Sequence, residues 1–416
     1  MNRIFQLINY NNKKLAPILF AFAVLSTSCN HTIYDKLFQN SSSINTVTYN
    51  ANGSTSGEPP VDLTDYISGQ TVVVLANTGS LLRTGYIFTG WNTASDGSGS
   101  TYTSGQTFGI GMSPVTLYAK WSVISLISSQ IFTNARNIAL SGNIAYVAGG
   151  SSFYVYDVSN PVVPLLSGSK TLPDQVDEIS VSGGYVYVGV YSSSSLQIFN
   201  TFSPYASVSS CNAIGNNWIY GLNVSGNYAY VALGNRYFGI YDISTPAIPL
   251  FIGNCGIGGT IGNSFDLDVS GIYAYVGQDN VGLKIIDITT ITAPVVIGTC
   301  TINIYVNGVT VSGNYAYLAA GTSGLVIIDI SNPVSPVLIS TCDTPGSAIE
   351  VEIVGDYAFV ADSASGLQVI DISDPANPRI AGSYSTGGNA DGVKISGQYI
   401  YVADGVGLKI IYCSAL

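Results

Sequence analysis

Along most of this chain, apolar residues alternate with polar ones or run together briefly, and Gly, Asn, Ser and Pro separate the runs. Residues 311–336, VSGNYAYLAAGTSGLVIIDISNPVSP, set the unit. Its core, Gly313-Asn-Tyr-Ala-Tyr-Leu318, recurs in variant form from Gly142, Gly183, Gly226, Gly271, Gly355 and Gly397. Successive glycines are 41, 43, 45, 42, 42 and 42 residues apart, a regularity that signals a repeat architecture.

Each copy reads as four short strands. In the fifth, these are residues 309–312, 315–319, 324–330 and 336–342, with Gly-rich turns supplying the positive φ that tight hairpins need. Consecutive Val326, Ile327 and Ile328 make both faces of the sheet apolar, so each sheet needs cover on both sides. Sheets stacked radially around an axis supply that cover, and the predicted fold is all-β: a seven-bladed β-propeller. The last copy stops after its third strand, while an unassigned strand, residues 123–132, precedes the first. That strand is expected to complete the final blade and remove an exposed edge, giving a propeller over residues 122–416.

Before the propeller, residues 46–121 carry strand-like runs at 46–51, 71–75, 86–91 and 115–121, and contain Trp91 and Trp121. The aromatics Phe88, Trp91, Tyr118 and Trp121 read as the core of a small module rather than a stacking platform, because a unit of this size needs them inside. No flexible linker separates Trp121 from Val123. Residues 1–28 have the form of an export signal: Arg3, Lys13 and Lys14, the apolar run 15–25, then Ser26-Thr27-Ser28. The apolar run is too short for a permanent membrane helix. Residues 29–45 are polar and aperiodic, a tether that holds His31, the chain's one histidine.

Three stretches resemble known families. Cys29 after small residues resembles the lipobox of bacterial lipoproteins, with Ser26 where an aliphatic residue is expected; this implies lipidation of Cys29 and attachment to the outer membrane or cell surface. VTYNANG, GYIFTGWNTASDGSGSTY and VTLYAKW resemble the Listeria-Bacteroides (internalin B-type) repeat, which implies a β-grasp-like envelope module. GLKIID (282–287), GLVIIDISNP (324–333) and GLQVIDISDP (366–375) resemble the LVIVD repeat of bacterial propellers. Copy 2 departs from that pattern at Asn200-Thr-Phe-Ser-Pro204. The resemblance implies a fold and an envelope location, and defines no active site.

The net charge of −11 becomes more negative without residues 1–28, which hold three basic residues and no acid, leaving 10 basic against 24 acidic groups. A field of that sign repels phosphate backbones and argues against nucleic-acid binding. No Ser/His/Asp set and no His/Cys metal spacing exists beyond the tether. Asp157, Asp242, Asp287, Asp329 and Asp371 recur before Ser- or Thr-containing turns and read as turn acceptors. The recurrent PxxP pairs are turn punctuation, and Gly256–Gly262 is a loop with the wrong spacing for a dinucleotide site. Cys211, Cys255, Cys300 and Cys342 sit too far apart around a ring for disulfides, predicting four buried free thiols.

The most suggestive feature lies five residues before each hairpin glycine: Asn137, Glu178, Gly221, Asp266, Gly308, Glu350 and Gly392, with Asp177 and Asp391 one residue earlier in their copies. Carboxylates in copies 2, 4 and 6 alternate with glycines in 3, 5 and 7. Asp177, Glu178, Asp266, Glu350 and Asp391 are therefore expected near one mouth of the ring, either as solvated loop acids or as a site for a cation such as Ca2+ or a basic partner segment. The functional expectation is a monomeric, non-catalytic interaction platform for a protein or glycan partner, with no cofactor required. The alternative is a carboxylate-dependent glycan hydrolase or lyase.

Overall fold

The computed structural model describes residues 44–190, 195–203, 205–212, 218–234, 237–258 and 264–416, and holds no α-helix among them. Cys29, His31 and the export signal lie outside these residues.

Eight strands open the described chain: β1 (Ile44–Asn45), β2 (Val47–Asn50), β3 (Tyr66–Ile67), β4 (Thr71–Val73), β5 (Tyr86–Asn92), β6 (Thr101–Tyr102), β7 (Thr107–Gly109) and β8 (Val115–Ile131). Six four-stranded antiparallel blades follow. Blade 1 comprises Ala135–Ser141, Ile144–Gly149, Ser152–Asp157 and Leu165–Thr171 (β9–β12). Blade 2 is Val176–Ser182, Tyr185–Val190, Ser195–Asn200 and Ser207–Asn212 (β13–β16). Blade 3 is Ile219–Ser225, Tyr228–Leu233, Tyr237–Asp242 and Leu250–Gly256 (β17–β20). Blade 4 is Ser264–Ser270, Tyr273–Gln278, Gly282–Asp287 and Val295–Thr301 (β21–β24). Blade 5 is Gly308–Ser312, Tyr315–Ala319, Leu325–Asp329 and Val337–Cys342 (β25–β28). Blade 6 is Glu350–Val354, Tyr357–Ala361, Leu367–Asp371 and Arg379–Tyr384 (β29–β32). The last strands, β33 (Gly392–Ser396), β34 (Tyr399–Ala403) and β35 (Gly407–Cys413), belong to a seven-stranded sheet shared with the N-terminal module.

The copied glycine has a conformational cause. All seven hairpin glycines, from Gly142 to Gly397, have φ between 56° and 61°, and a Cβ there would meet nothing within 4 Å. The positive φ of the turn selects glycine at this position. The apolar run in the third strand is equally explicable, because the ring's hydrophobic clusters lie between neighbouring blades. Leu283 and Ile285 of blade 4, for example, pack with Val309, Ala316, Val326 and Ile328 of blade 5. The inner strands β9, β13, β17, β21, β25, β29 and β33 touch in succession, and β33 meets β9 again.

Strand β8 closes the circle. Its second half runs antiparallel to β35, pairing Ile124 with Cys413, Leu126 with Ile411 and Lys409 with Ser129. Its first half pairs with β2 and β5 inside the module. The run expected to end at Trp121 therefore continues as one 17-residue strand through the junction.

At one position of each outer strand, a residue abuts the neighbouring blade's corner between third and fourth strands. Ser209 and Ser340 donate to the carbonyls of Pro246 and Pro375, both at 2.6 Å, and Ser128 of β8 donates to Pro161 at 2.7 Å. A Cβ on Gly253 or Gly298 would lie 2.0 Å from the carbonyl of Ile291 or Pro333. The closing sheet takes its outer strand from the N-terminal side and has no such corner of its own. There the module supplies the surface: a Cβ on Gly382 would lie 2.7 Å from the Tyr86 carbonyl. Ile87 joins the ring's cluster with Phe359, Val369 and Ala381, and the Tyr357 hydroxyl reaches the Phe88 carbonyl at 3.5 Å.

Inside the module, Trp91 is fully buried and donates to the Leu75 carbonyl at 2.9 Å. Trp91 packs edge-on against Tyr49 and Phe88, so Phe88 and Trp91 form core with Trp121 partly buried against them. Tyr118, on the opposite face of β8 from buried Leu117 and Ala119, is half-buried outside the cluster. The tether expected to run to residue 45 ends sooner: Ile44 and Asn45 pair with Ile67 and Tyr66, and the Asn45 side chain donates to the Gly111 carbonyl.

Candidate functional site

The inner strands surround a cavity of about 1090 Å³. All five acids singled out in the sequence, Asp177, Glu178, Asp266, Glu350 and Asp391, line it. It also brings in Asp268 and Glu352, two positions along the same strands, and the cations Arg136 and Lys394. Seven carboxylates thus face two cationic groups.

Asp177, Glu178, Asp266, Asp268, Glu350 and Glu352 lie on inner strands rather than in loops, and Asp391 directly precedes one. An inner strand has one edge without a strand partner, so its N–H groups need acceptors. Asp266 Oδ2 accepts from Val309 N at 2.8 Å, Asp268 Oδ2 from Val311 N at 2.8 Å, and Glu350 Oε2 from Val393 N at 2.8 Å. Each bond crosses from one inner strand to the next. The acid–glycine alternation follows from this geometry in copies 4 to 7. A Cβ on Gly308 would lie 2.7 Å from the Ile349 carbonyl, and one on Gly392 would lie 2.7 Å from the Arg136 carbonyl and 3.3 Å from Glu350 Oε2. At both positions glycine admits the backbone of the next inner strand, and at Gly392 it also leaves room for Glu350 Oε2.

Lys394 places its ammonium between Glu350 and Glu352, in contact with Glu350 Oε1 and 3.2 Å from Glu352 Oε2. Burial pulls the ammonium's pKa down, but the two carboxylates outweigh it and hold Lys394 well above its ordinary value. Arg136 Nη1 lies 3.2 Å from Asp177 Oδ1, which also accepts from Gln175 at 2.6 Å. Asn137 donates to Glu178 Oε2 at 3.0 Å. Burial raises five of the acids. It pushes Asp266 up to about 7 against the opposing Val309 N–H, and Asp391 up to about 6 against nearby Arg136. Glu178 is driven well up by burial and then by the charges of Asp266 and Glu350. Glu350 and Asp268 are also raised, chiefly by burial.

Chemically, the lumen is a wide acidic channel. Glu178, Asp266 and Glu350 come from alternate inner strands, and no three His, Cys, Asp or Glu side chains among the described residues are placed to hold one metal ion. Sequence reasoning missed Asp268, Glu352, Lys394 and Arg136. For the first three the signal was the same-face spacing of two residues along a strand from the positions already noted.

The other candidates have structural roles. Asp157, Asp242, Asp287, Asp329 and Asp371 each accept from the backbone N–H two residues on, at 2.8 to 2.9 Å. The hydroxyl and N–H donors beside Asp157, Asp242, Asp287 and Asp329 lower their pKa values. Cys211, Cys255, Cys300 and Cys342 are free thiols. Cys300 and Cys342 are buried, but Cys211 and Cys255 are only half-buried, contrary to the expectation of four buried groups. Of the loop at 256–262, residues 259–262 lie outside the described residues.

The architecture defines the class: an all-β propeller with an attached β-module. The chain belongs to the LVIVD repeat family, which matches residues 133–171, 174–196, 220–256, 261–302, 305–344, 345–386 and 387–416. Residues 46–120 match the Listeria-Bacteroides repeat domain. Two proteins of Evansella cellulosilytica are similar in part. One, named "Putative Gly-rich membrane protein", is 44% identical over 77 residues, covering 18% of this chain and 9% of that protein. The other, named "Putative membrane protein", is 31% identical over 147 residues, covering 35% and 21%. The matches thus span a tenth to a fifth of those relatives' lengths. The crystal structure of the computationally designed Ika8 protein shares the fold at a TM-score of 0.53 and 12% identity, covering 69% of this chain and 99% of that one. No described helix is long and apolar enough to cross a membrane.

Proposed function

We propose that this protein is a monomeric, non-catalytic platform of the bacterial cell envelope, lipid-anchored through Cys29, whose acidic lumen receives a basic segment of a partner protein. In this reading β33–β35 and the second half of β8 count as a seventh blade. Two features support that count: β33 meets β9, and the outer-strand joint recurs at Ser128. The observation that carries the functional reading is the charge of the lumen, seven carboxylates against two cations around about 1090 Å³. Lys394, seated between Glu350 and Glu352, is an example of an ammonium held by this wall.

Tyr220 is the one aromatic among the described residues lining the lumen, which favours binding over glycan cleavage, since sugar rings stack on aromatic faces. That no three acids among the described residues are placed to hold one metal favours an extended cationic segment over a bare Ca2+ ion, which needs its oxygens within about 2.3–2.6 Å. The test is calorimetric titration with an oligolysine peptide at low and high salt at about pH 8.5, above the value of about 7 to which burial raises Asp266. Salt-sensitive binding, weakened in a Glu178→Gln/Asp266→Asn double variant, is expected. No heat with the unsubstituted protein at low salt, or equal binding by the double variant, would overturn the reading.

A further inference from the structure

The direction of β8 orders the molecule from end to end. It starts in the module at Val115 and finishes beside the lumen's acidic mouth, where Ile131 pairs with Gly407 and the next residue, Phe132, donates to the Val406 carbonyl. At about 3.3 Å per residue it covers about 50 Å. Strand β2 runs parallel to it, Val47 beside Val115, so the chain enters the module at the end furthest from the mouth. The β4–β7 pair gives the same order. Ala76 and Ser104, just beyond its near end, face Asp374 and Arg379 of blade 6, while at its far end Gly69 donates to the Ile110 carbonyl.

That far tip is apolar and uncovered. Ile44 and Ile67 are cross-strand partners, 63% and 44% exposed. Met112 is 81% exposed and follows Gly111, whose carbonyl accepts from Asn45. Residues 29–43 join the module at this tip, and Cys29, the lipid-bearing residue of the functional reading, lies only 15 positions before Ile44. A protein surface with an apolar tip at the point where an anchored chain arrives is suited to lie against that anchor's own medium.

We propose that the module's far tip rests on the lipid bilayer through Ile44, Ile67 and Met112, so that the acidic mouth opens away from the membrane, towards partners outside it. The inference uses the lipid anchor of the functional reading and is independent of what the lumen binds. Asp65 precedes Tyr66, the cross-strand partner of Asn45, and Asp62 accepts from the Tyr66 hydroxyl at 2.9 Å, so both carboxylates stand beside the tip, which specifies neutral rather than anionic lipid. The protein carries a reporter near its mouth, Trp218, 42% exposed, whereas Trp91 is buried and Trp121 is partly buried in the module's core.

The test uses lipidated protein beginning at Cys29 on phosphatidylcholine vesicles in which part of the lipid is brominated. Emission from a Met112→Trp variant should be strongly quenched by the brominated lipid, while emission from the unsubstituted protein should be unchanged. Vesicle-bound protein with no quenching of the added tryptophan would overturn tip docking and leave the anchor standing. Quenching of the unsubstituted protein would overturn the orientation. Failure to bind vesicles at all would overturn the anchor and the docking together, while the oligolysine titration would still judge the lumen.

Discussion

Replacing Asp266 with Asn tests the electrostatics of the lumen directly. The carboxyl is raised from 3.8 to about 7 in the folded protein, first by burial. Below about pH 4 the group is protonated in both folded and unfolded chains and costs nothing. Between about pH 4 and pH 7 the unfolded chain releases the proton while the folded one keeps it, so the unfolded state binds fewer protons and stability falls as pH rises. A rise of that size corresponds to roughly 4 kcal/mol of stability lost across that window. The amide of the Asp266→Asn variant would keep an oxygen for the Val309 N–H without titrating. Urea unfolding at about pH 4.5 and pH 8 should show the variant losing less stability than the unsubstituted protein, by roughly 2–4 kcal/mol. Equal losses in the two proteins would refute the assignment of a strongly raised carboxyl at this position.

Removing the lumen's internal cation should act in the opposite sense. Lys394→Met leaves Glu350 and Glu352 without their ammonium and should cost about 3 kcal/mol at pH 8, but less at pH 5, where the buried Glu350 carboxyl more readily takes up a proton; denaturant titration at the two pH values reads the difference. Gly392→Ala should destabilise by about 1–3 kcal/mol, because the new methyl group meets the Arg136 carbonyl and crowds Glu350; a variant as stable as the parent would contradict the steric account of the alternation. Ile87→Ala, emptying a fully buried site shared by module and ring, should cost about 2–5 kcal/mol in thermal or chemical unfolding of the whole protein. Mass mapping without reductant should find Cys211, Cys255, Cys300 and Cys342 unbridged, and any disulfide among them would contradict the ring geometry.

Much of this organisation could be read from residues because it is written repeatedly. The hairpin glycine recurs with its turn, and the missing outer strand of the last copy pointed to residues 123–132, which β8 supplies. The placement of Glu178, Asp266 and Glu350 was also legible, since equivalent positions in a cyclic repeat face the same axis. What escaped was set by non-repeating partners. Lys394 resembles an ordinary surface lysine until Glu350 is known to lie beside it, and Asp268 and Glu352 sit mid-strand without a motif. The docking of the module was invisible because its key group is a backbone carbonyl, at Tyr86, meeting a glycine that resembles those in other blades. Side-chain identity carries no trace of such a meeting.

The uninterrupted β8 has a consequence for how the molecule comes apart. A bead on a string could melt, or be clipped off, and leave its neighbour intact. Here any break between Trp121 and Val123 severs a rung common to both halves, so heating should give one calorimetric transition. A flexible insertion at Ser122 would turn a single stiff body into two that wobble.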